Sequence, residues 1–266
     1  MKERVISAIV ALLIFVPIFL LGGPFFNLAI FIVAILGLKE LLDAKRHQKE
    51  FPMFIQFITY VLLSLFILVN MTKTSLVFSI DYRYIVGLFL AFTIPTVLYQ
   101  DRAKYSIVDS FYLIGAVFFL GVGFSLMVLL RNISLETIIY LFLITMITDS
   151  YAYIIGSLIG KHKLAEKTSP KKSWEGTIFG SIVGTFVGTL YYINYVNPNV
   201  ELSTVIFMTL FLSVLGQFGD LYFSSIKRYY KIKDFSNIMP GHGGILDRCD
   251  SIIFVILGYM FFISII

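Results

Sequence analysis

Residues 203–251 of this chain read STVIFMTLFLSVLGQFGDLYFSSIKRYYKIKDFSNIMPGHGGILDRCDS. The stretch up to Ile226 is mostly apolar and is as long as a bilayer-spanning helix, which needs about 20 residues. Carboxylates, cations and glycines then crowd together before an apolar run resumes at Ile252. Because charge is costly inside a bilayer, such a cluster indicates a function. Carboxylates beside cations and a glycine-rich turn suit the binding of a polyphosphate with a divalent metal.

The composition excludes an ordinary soluble domain. Of the 266 residues, 58% are hydrophobic and 14% are charged, and the mean hydropathy is +0.90. A soluble domain carries about 25% charged residues, so lipid must cover most of this surface. The net charge of +5 comes from cations in short loops between apolar runs, which indicates membrane topology rather than nucleic-acid binding. The single cysteine, Cys249, excludes an internal disulfide.

The apolar runs predict an all-α polytopic membrane protein with nine spans. We expect them at about 5–22, 24–42, 53–70, 84–100, 109–130, 137–160, 177–195, 203–226 and 245–266. With the N-terminus cytoplasmic and the C-terminus outside, each inside loop has more Lys and Arg than its outside neighbours. We interpret Lys45, Arg46 and His47 as ordinary interfacial charge. The short chain without organelle targeting favours a bacterial inner membrane.

The two parts of the chain differ in character. Residues 1–130 carry little chemistry, and we expect them to form a lipid-facing scaffold that also mediates oligomerisation, a homodimer being one such arrangement. Residues 131–266 hold nearly all the intramembrane charge and are the predicted catalytic region. One predicted span of this region has a glycine at every fourth position, which predicts a flat stripe for close helix packing. The alternative is a glycine face that lines a substrate path. The stripe comprises Gly176, Gly180, Gly184 and Gly188.

Four aspartates fall within or at the rims of the predicted spans. The helical rise of 1.5 Å per residue puts Asp149, Asp220, Asp247 and Asp250 in the cytoplasmic half, where they can share one cavity open to the cytoplasm. Asp247 and Asp250 share a helix face, and the i, i+4, i+7 spacing of Asp220, Ser224 and Lys227 places them on another. We expect Asp220, Asp247 and Asp250 to bind a hard metal such as Mg²⁺. Two alternatives are inter-helix ion pairs and a proton or ion pathway.

Two polar segments are candidate phosphate sites. Gly241, His242, Gly243 and Gly244 precede a predicted helix, and their glycines allow a turn with positive φ whose backbone can approach a phosphate closely. For His242 we favour contact with phosphate or ribose, with structural and general-base roles as alternatives. Lys171 and Lys172 are a candidate phosphate clamp. The alternative for these lysines is topology charge at a helix start that Ser173 caps.

These residues resemble the signature of the phosphatidate cytidylyltransferases, also called CDP-diacylglycerol synthases. The signature comprises Ser224-x-Ile226-Lys227-Arg228, Lys233-Asp234 and Pro240-x-His242-Gly243-Gly244-x-x-Asp247-Arg248-x-Asp250. Two earlier stretches, 149–153 and 169–176, are also similar to this family. The motifs cover roughly the C-terminal half of the chain, and the long signature is highly specific.

The resemblance implies a reaction of CTP with phosphatidate, giving CDP-diacylglycerol and pyrophosphate at a site that faces the cytoplasm. It implies Mg²⁺, and a monovalent cation such as K⁺ is associated with the site in relatives. Asp220, Asp247 and Asp250 would bind the metal, and Asp149 would be a ligand or an orienting group. The phosphates would be steered and neutralised by Lys227, Arg228, Lys233 and Arg248. Further contacts with the substrates would come from Lys171, Lys172, Ser224, Asp234 and the turn Gly241–Gly244.

The chain departs from the family pattern at three positions. Phe223 stands where relatives often have Glu, Ser236 where they often have Gly, and Cys249 where an aliphatic residue is typical. None of these changes removes a proposed metal ligand. Three other classes fit less well. A CDP-alcohol phosphotransferase motif begins with Asp-Gly, which this chain lacks. A transporter predicts similar halves, and a scaffold needs no costly charge cluster.

Overall fold

The computed structural model describes residues 13–71, 80–239 and 241–264. The elements relevant here are eight α-helices and one small hairpin. The helices are α1 (Gly23–Arg46), α2 (Met53–Asn70), α3 (Tyr82–Leu98), α4 (Ile107–Ile133), α5 (Leu135–Ile159), α6 (Trp174–Tyr191), α7 (Leu202–Tyr229) and α8 (Leu246–Ile263). Residues 13–21 are also helical. The first predicted span is described only from residue 13 onward, and its start lies outside the described residues.

Six of these helices are long and apolar enough to cross a bilayer, counting only the described parts of the chain: α1, α2, α4, α5, α6 with its π-helical extension Tyr192–Val196, and α7. Helix α3 is apolar but has 17 residues, and α8 has 18 residues with three charges in its first turns. The protein is therefore an all-α polytopic membrane protein, and each predicted span from the second to the ninth coincides with a helix.

The chain forms two compact units. The first comprises the chain up to Ile133 together with Asp234–Ile245, and the second comprises Ser134–Lys233 and Leu246–Ile266. In the first unit, α4 is mostly buried and packs against α1, α2 and α3. Gly121 of α4 lets the ring of Phe66 from α2 approach closely, because a Cβ there would lie 2.9 Å from that ring. The closely packed helices thus have a small residue at their contact.

The end of α1 differs from the prediction. Lys45 is not ordinary interfacial charge, because its ammonium lies 3.5 Å from Asp109 of α4 and its side chain is 10% exposed. Lys49 also forms an ion pair with Asp109. Arg46 and His47 are exposed, as expected. A buried carboxylate between two ammonium groups avoids the cost of an uncompensated charge, and it joins the end of α1 to the start of α4.

In the second unit, α5 packs mainly on α6, and α7 packs on α8 and α6. The predicted role of the glycine stripe in close packing is confirmed. A Cβ on Gly180 would lie 2.7 Å from the carbonyl oxygen of Thr148 in α5. Hydroxyl pairs also link the helices: Tyr140 with Thr209 at 2.7 Å, and Thr148 with Ser213 at 2.8 Å. Such small residues and polar contacts are typical of helix association in membranes.

The segment between α5 and α6 contains a hairpin that the sequence analysis did not predict. Strands β1 (Lys163–Ala165) and β2 (Ser169–Ser173) pair antiparallel. Ser173 ends β2 and caps α6, since its hydroxyl accepts a hydrogen bond from the N–H of Gly176 at 3.2 Å. The capping role proposed for Ser173 is therefore confirmed. Because Lys171 and Lys172 directly precede this cap, it places them next to the first turn of α6.

Candidate active site

A polar cavity of about 290 Å³ lies within the second unit. Five elements build it: the middle of α5, strand β2, the first turn of α6, the C-terminal half of α7 and the first turns of α8. It brings together seven of the predicted site residues from stretches far apart in the sequence. They are Asp149, Lys171, Lys172, Asp220, Asp247, Arg248 and Asp250, and the remaining walls include Thr177, Gln217 and Ser251.

All four predicted aspartates line this cavity, so their expected convergence is confirmed. Asp149 is exposed to the cavity, although it lies inside a membrane-length helix. The carboxylates of Asp149, Asp220 and Asp250 are close enough to repel one another electrostatically. Ser251 offsets part of this repulsion. Its N–H donates to Asp250 Oδ1 at 2.8 Å, and Ser251 lines the same cavity as Asp149.

Two lysines lie against two of the carboxylates. The ammonium of Lys227 in α7 is 2.6 Å from Asp247 Oδ1, and both side chains are almost buried. The ammonium of Lys172 in β2 is 2.6 Å from Asp220 Oδ2 and 3.4 Å from the carbonyl oxygen of Gln217. The ion pairs that the sequence left open as an alternative are therefore present, and lysines from other elements supply the cations.

The sequence predicted that Asp220, Ser224 and Lys227 share one face of α7. The hydroxyl of Ser224 donates to Asp220 Oδ1 at 3.3 Å, and Lys227 continues the same face toward Asp247. Helix α7 ends just beyond this face, because Lys231 adopts a left-handed conformation with φ of 58° and Ile232 donates its N–H to the Lys227 carbonyl at 2.9 Å. The helix end is therefore a backbone cap of the kind that αL residues provide.

The donor set suits a hard divalent cation. Carboxylate oxygens are the ligands that Mg²⁺ prefers, and the mutual repulsion of Asp149, Asp220 and Asp250 is the kind that a cation relieves. In the described residues no three acidic, histidine or cysteine side chains already converge as metal ligands, and lysine ammonium groups contact Asp220 and Asp247. The chemistry of these residues thus fits a divalent metal, and Lys172 and Lys227 contact two of the carboxylate oxygens that would bind it.

Other predicted residues lie outside the cavity wall. The guanidinium of Arg228 donates to two backbone carbonyls, of Thr168 at 3.3 Å and of Ile232 at 3.0 Å. These bonds connect α7 with the hairpin and with its own C-terminal cap. Lys233 and Asp234 follow that cap and are exposed.

The glycine-rich segment belongs to the first unit. Gly241 and Gly243 have φ of 76° and 84°, a region that favours glycine. His242 donates its N–H to the Met239 carbonyl at 2.8 Å, and Met239 donates to the Gly243 carbonyl at 3.0 Å. The predicted turn with positive φ is confirmed, and phosphate binding by it stays a prediction.

Glu40 of α1 is a residue that the sequence analysis missed. It is 1% exposed, and its Oε1 accepts hydrogen bonds from the Ser236 hydroxyl at 2.5 Å and from the Ile245 N–H at 2.8 Å. A Cβ on Gly244 would lie 2.6 Å from its carboxyl carbon. A carboxylate inside an apolar helix was the available signal, because buried charge requires partners. Glu40 thus holds both ends of the segment that leads into α8.

Known proteins similar to this chain are cytidylyltransferases. A model of the cytidylyltransferase family matches residues 2–266. Phosphatidate cytidylyltransferases of Staphylococcus haemolyticus and Staphylococcus epidermidis are 36% and 37% identical over 256 and 257 residues, and the match covers 96% of each chain. That of Staphylococcus aureus is 36% identical over 259 residues, with the same coverage. The chain therefore belongs to the cytidylyltransferase family, as its signature predicts, and is a membrane nucleotidyltransferase.

Proposed function

We propose that the protein transfers the cytidylyl group of CTP to phosphatidate, giving CDP-diacylglycerol and pyrophosphate in phospholipid synthesis. Its staphylococcal relatives are phosphatidate cytidylyltransferases, which supports this reaction. The observation that carries the proposal is the cavity in which four aspartates meet two lysines and Arg248 inside a membrane unit. Such a site has charge of both signs for a nucleotide, and it lies in a protein whose surroundings are lipid.

The reaction is a substitution at phosphorus. An oxygen of the lipid phosphate forms a bond to the α-phosphorus of CTP, and the bond from that phosphorus to the β-bridging oxygen breaks. Pyrophosphate leaves with the electron pair of the broken bond. Such transfers depend on positioning and charge neutralisation rather than on covalent help from the protein. We assign the neutralisation of the phosphates to Lys171, Lys172, Lys227 and Arg248.

We assign metal binding to Asp220, Asp247 and Asp250, with Asp149 as a further ligand or an orienting group. Mg²⁺ held there would neutralise phosphate oxygens and align them, the chemistry that this ion supplies in nucleotide sites. Lys172 and Lys227 are the counter-ions of Asp220 and Asp247, respectively. An ammonium that leaves its carboxylate can donate hydrogen bonds to a phosphate oxygen instead.

The remaining predicted residues have supporting roles in this proposal. The turn Gly241–Gly244, with His242, would bind phosphate or ribose of the nucleotide through its backbone N–H groups. Ser224 orients Asp220 through its hydrogen bond. Arg228 steers phosphates from the end of α7, and Lys233 and Asp234 extend the polar surface beyond it.

The topology completes the proposal. The distribution of Lys and Arg supports nine spans with the N-terminus inside and the C-terminus outside, in a bacterial inner membrane. The cavity would then face the cytoplasm, so that CTP enters from the aqueous side and phosphatidate from the bilayer. We further propose residues 1–130 as the scaffold, with a homodimer as its assembly.

The test measures pyrophosphate release by the detergent-purified protein with CTP, phosphatidate, Mg²⁺ and K⁺. We expect release only when CTP, lipid and metal are all present, and none when ATP replaces CTP. Asp250→Ala and Asp247→Ala should abolish turnover in protein that still elutes as a folded species. Release without lipid, or full activity in either variant, would overturn the proposed reaction or the roles of these aspartates.

A further inference from the structure

A second cavity of about 300 Å³ lies in the same unit, between α6 and α7. Its walls are apolar side chains from both helices, and several are about half exposed, so the cavity opens sideways from the helix pair. Apart from Thr177, Ser181 and Gln217, the lining is entirely apolar or aromatic. We name it the α6–α7 groove, and its main walls are Trp174, Ile178, Ile182, Leu210, Val214 and Phe218.

The α6–α7 groove adjoins the carboxylate cavity, and the two have residues of one wall in common. Thr177 and Gln217 line both. Gln217 is 3% exposed, and its amide donates to the Ser181 hydroxyl at 2.7 Å and to the Thr177 carbonyl at 3.2 Å. Gln217 therefore lies between the charged cavity and the apolar one, and two hydrogen bonds hold its side-chain amide in place. Its backbone carbonyl also accepts from Lys172, which connects Gln217 to the ammonium beside Asp220.

The paired cavities match one class of ligand, an amphiphile with a phosphate head and a hydrocarbon tail. We propose that the α6–α7 groove receives an acyl chain of the phosphatidate substrate while the phosphate lies among Lys171, Lys172 and the aspartates. This inference rests on the proposed function. A free phosphate or a nucleotide would leave the groove unused, and its apolar walls would gain nothing from either.

The groove acts by positioning the lipid rather than by extracting it from the membrane. Lipid tails are as apolar as leucine side chains, so moving a chain from bilayer to groove changes the hydrophobic free energy little. A chain seated there restricts where the phosphate can lie, which favours attack at one geometry. Filling the groove should therefore weaken the use of long-chain substrate and spare substrate whose chains are too short to reach it.

The experiment compares Val214→Trp, which fills the groove, with Ile206→Trp on the same helix. Ile206 is 43% exposed and is not among the groove walls. For Val214→Trp we expect kcat/KM for dioleoyl phosphatidate to fall about tenfold, the effect of ~1.4 kcal/mol in transition-state stabilisation. KM for CTP and kcat/KM for dihexanoyl phosphatidate should stay at the parent values. Ile206→Trp should match the parent with both lipids.

A second measurement covers the case in which Val214→Trp does not fold. Phosphatidate with a photoreactive diazirine at mid-chain is irradiated with the parent protein, and the labelled peptides are identified. We expect labels on α6 and α7 around Ile178 and Val214, and unlabelled phosphatidate should compete for them. Three results would overturn the proposed acyl-chain site. They are labelling elsewhere, equal labelling by a phosphatidylcholine probe, and equal loss of long-chain and short-chain turnover in Val214→Trp. Absence of any CTP-dependent turnover in the parent would instead overturn the proposed function, and the labelling pattern would still decide the groove.

Discussion

Gly180→Ala is the substitution whose effect the structure defines most directly. A Cβ at this position would lie 2.7 Å from the Thr148 carbonyl oxygen, 2.8 Å from the Cβ of Ala152 and 2.9 Å from its backbone nitrogen. Two of these three atoms belong to the backbone of α5, so no rotamer change can relieve the contact. Helices α5 and α6 must move apart. The displaced residues flank Asp149, so the substitution should also disturb the carboxylate cavity.

Two opposing effects determine how far the substitution changes the free energy of unfolding. Alanine favours a helix over glycine by about 1 kcal/mol. Overpacking costs about 1–3 kcal/mol, and backbone contacts place this case near 3 kcal/mol. The net loss of about 2 kcal/mol corresponds to a fall in Tm of about 4–8 °C for a chain of this size. Thermal unfolding in detergent, followed by circular dichroism or by a thiol probe on Cys249, measures it.

Gly115→Ala is the matched control, because among the described residues no other side chain or helix lies within 4 Å of a Cβ built there. It should keep the parent Tm or raise it slightly. Turnover by Gly180→Ala, measured well below its Tm, should fall, whereas Gly115→Ala should retain full activity. If Gly180→Ala unfolds at the parent temperature or above, the helices are not packed as described and the reasoning fails.

Three further predictions concern the site. Glu40→Ala should lower kcat/KM for CTP by about tenfold or more, because charge-assisted hydrogen bonds to Ser236 and Ile245 contribute ~1.5–3 kcal/mol each. Glu40→Gln keeps an acceptor and should retain more activity. Equal losses in the two variants would contradict this role. Asp247→Asn removes the carboxylate that Lys227 contacts and should cost about 3–5 kcal/mol of stability. Adding Lys227→Met to this variant should restore Tm without restoring pyrophosphate release. Restored release would refute the assigned roles. Chelation with EDTA should stop release and added Mg²⁺ should recover it, while activity that survives exhaustive chelation would exclude the metal.

Part of the site followed from local periodicity. The spacing of Asp220, Ser224 and Lys227 placed them on one helix face, and the hydrogen bond between Ser224 and Asp220 confirms it. The glycines of the 241–244 segment predicted a turn with positive φ, which Gly241 and Gly243 adopt. Both predictions depend on residues close in the chain, where backbone geometry alone determines which side chains are neighbours.

Other features required the packed chain. The lysine partner of Asp220 comes from β2, a strand with no apolar alternation that would mark it in the sequence. Glu40 is separated from Ser236 by 196 residues, so no local pattern connects them. Lys45 looked like surface charge because its partner, Asp109, lies on another helix. Each of these pairs depends on which helix faces meet, and helical periodicity does not specify that.

By itself, the amino-acid sequence determined that this is a helical membrane protein and that a dense cluster of charges adjoins its last apolar spans, because apolar runs and the charges between them can be read directly from residue order. It also determined the family, through a long motif of fixed spacing. Only the tertiary structure decided that Lys172 and Lys227 lie on the acids, that Glu40 holds the segment before α8, and that an apolar groove adjoins the charged cavity. The physical reason is that a sequence defines the faces of its helices, whereas close packing decides which faces touch and what space is left between them.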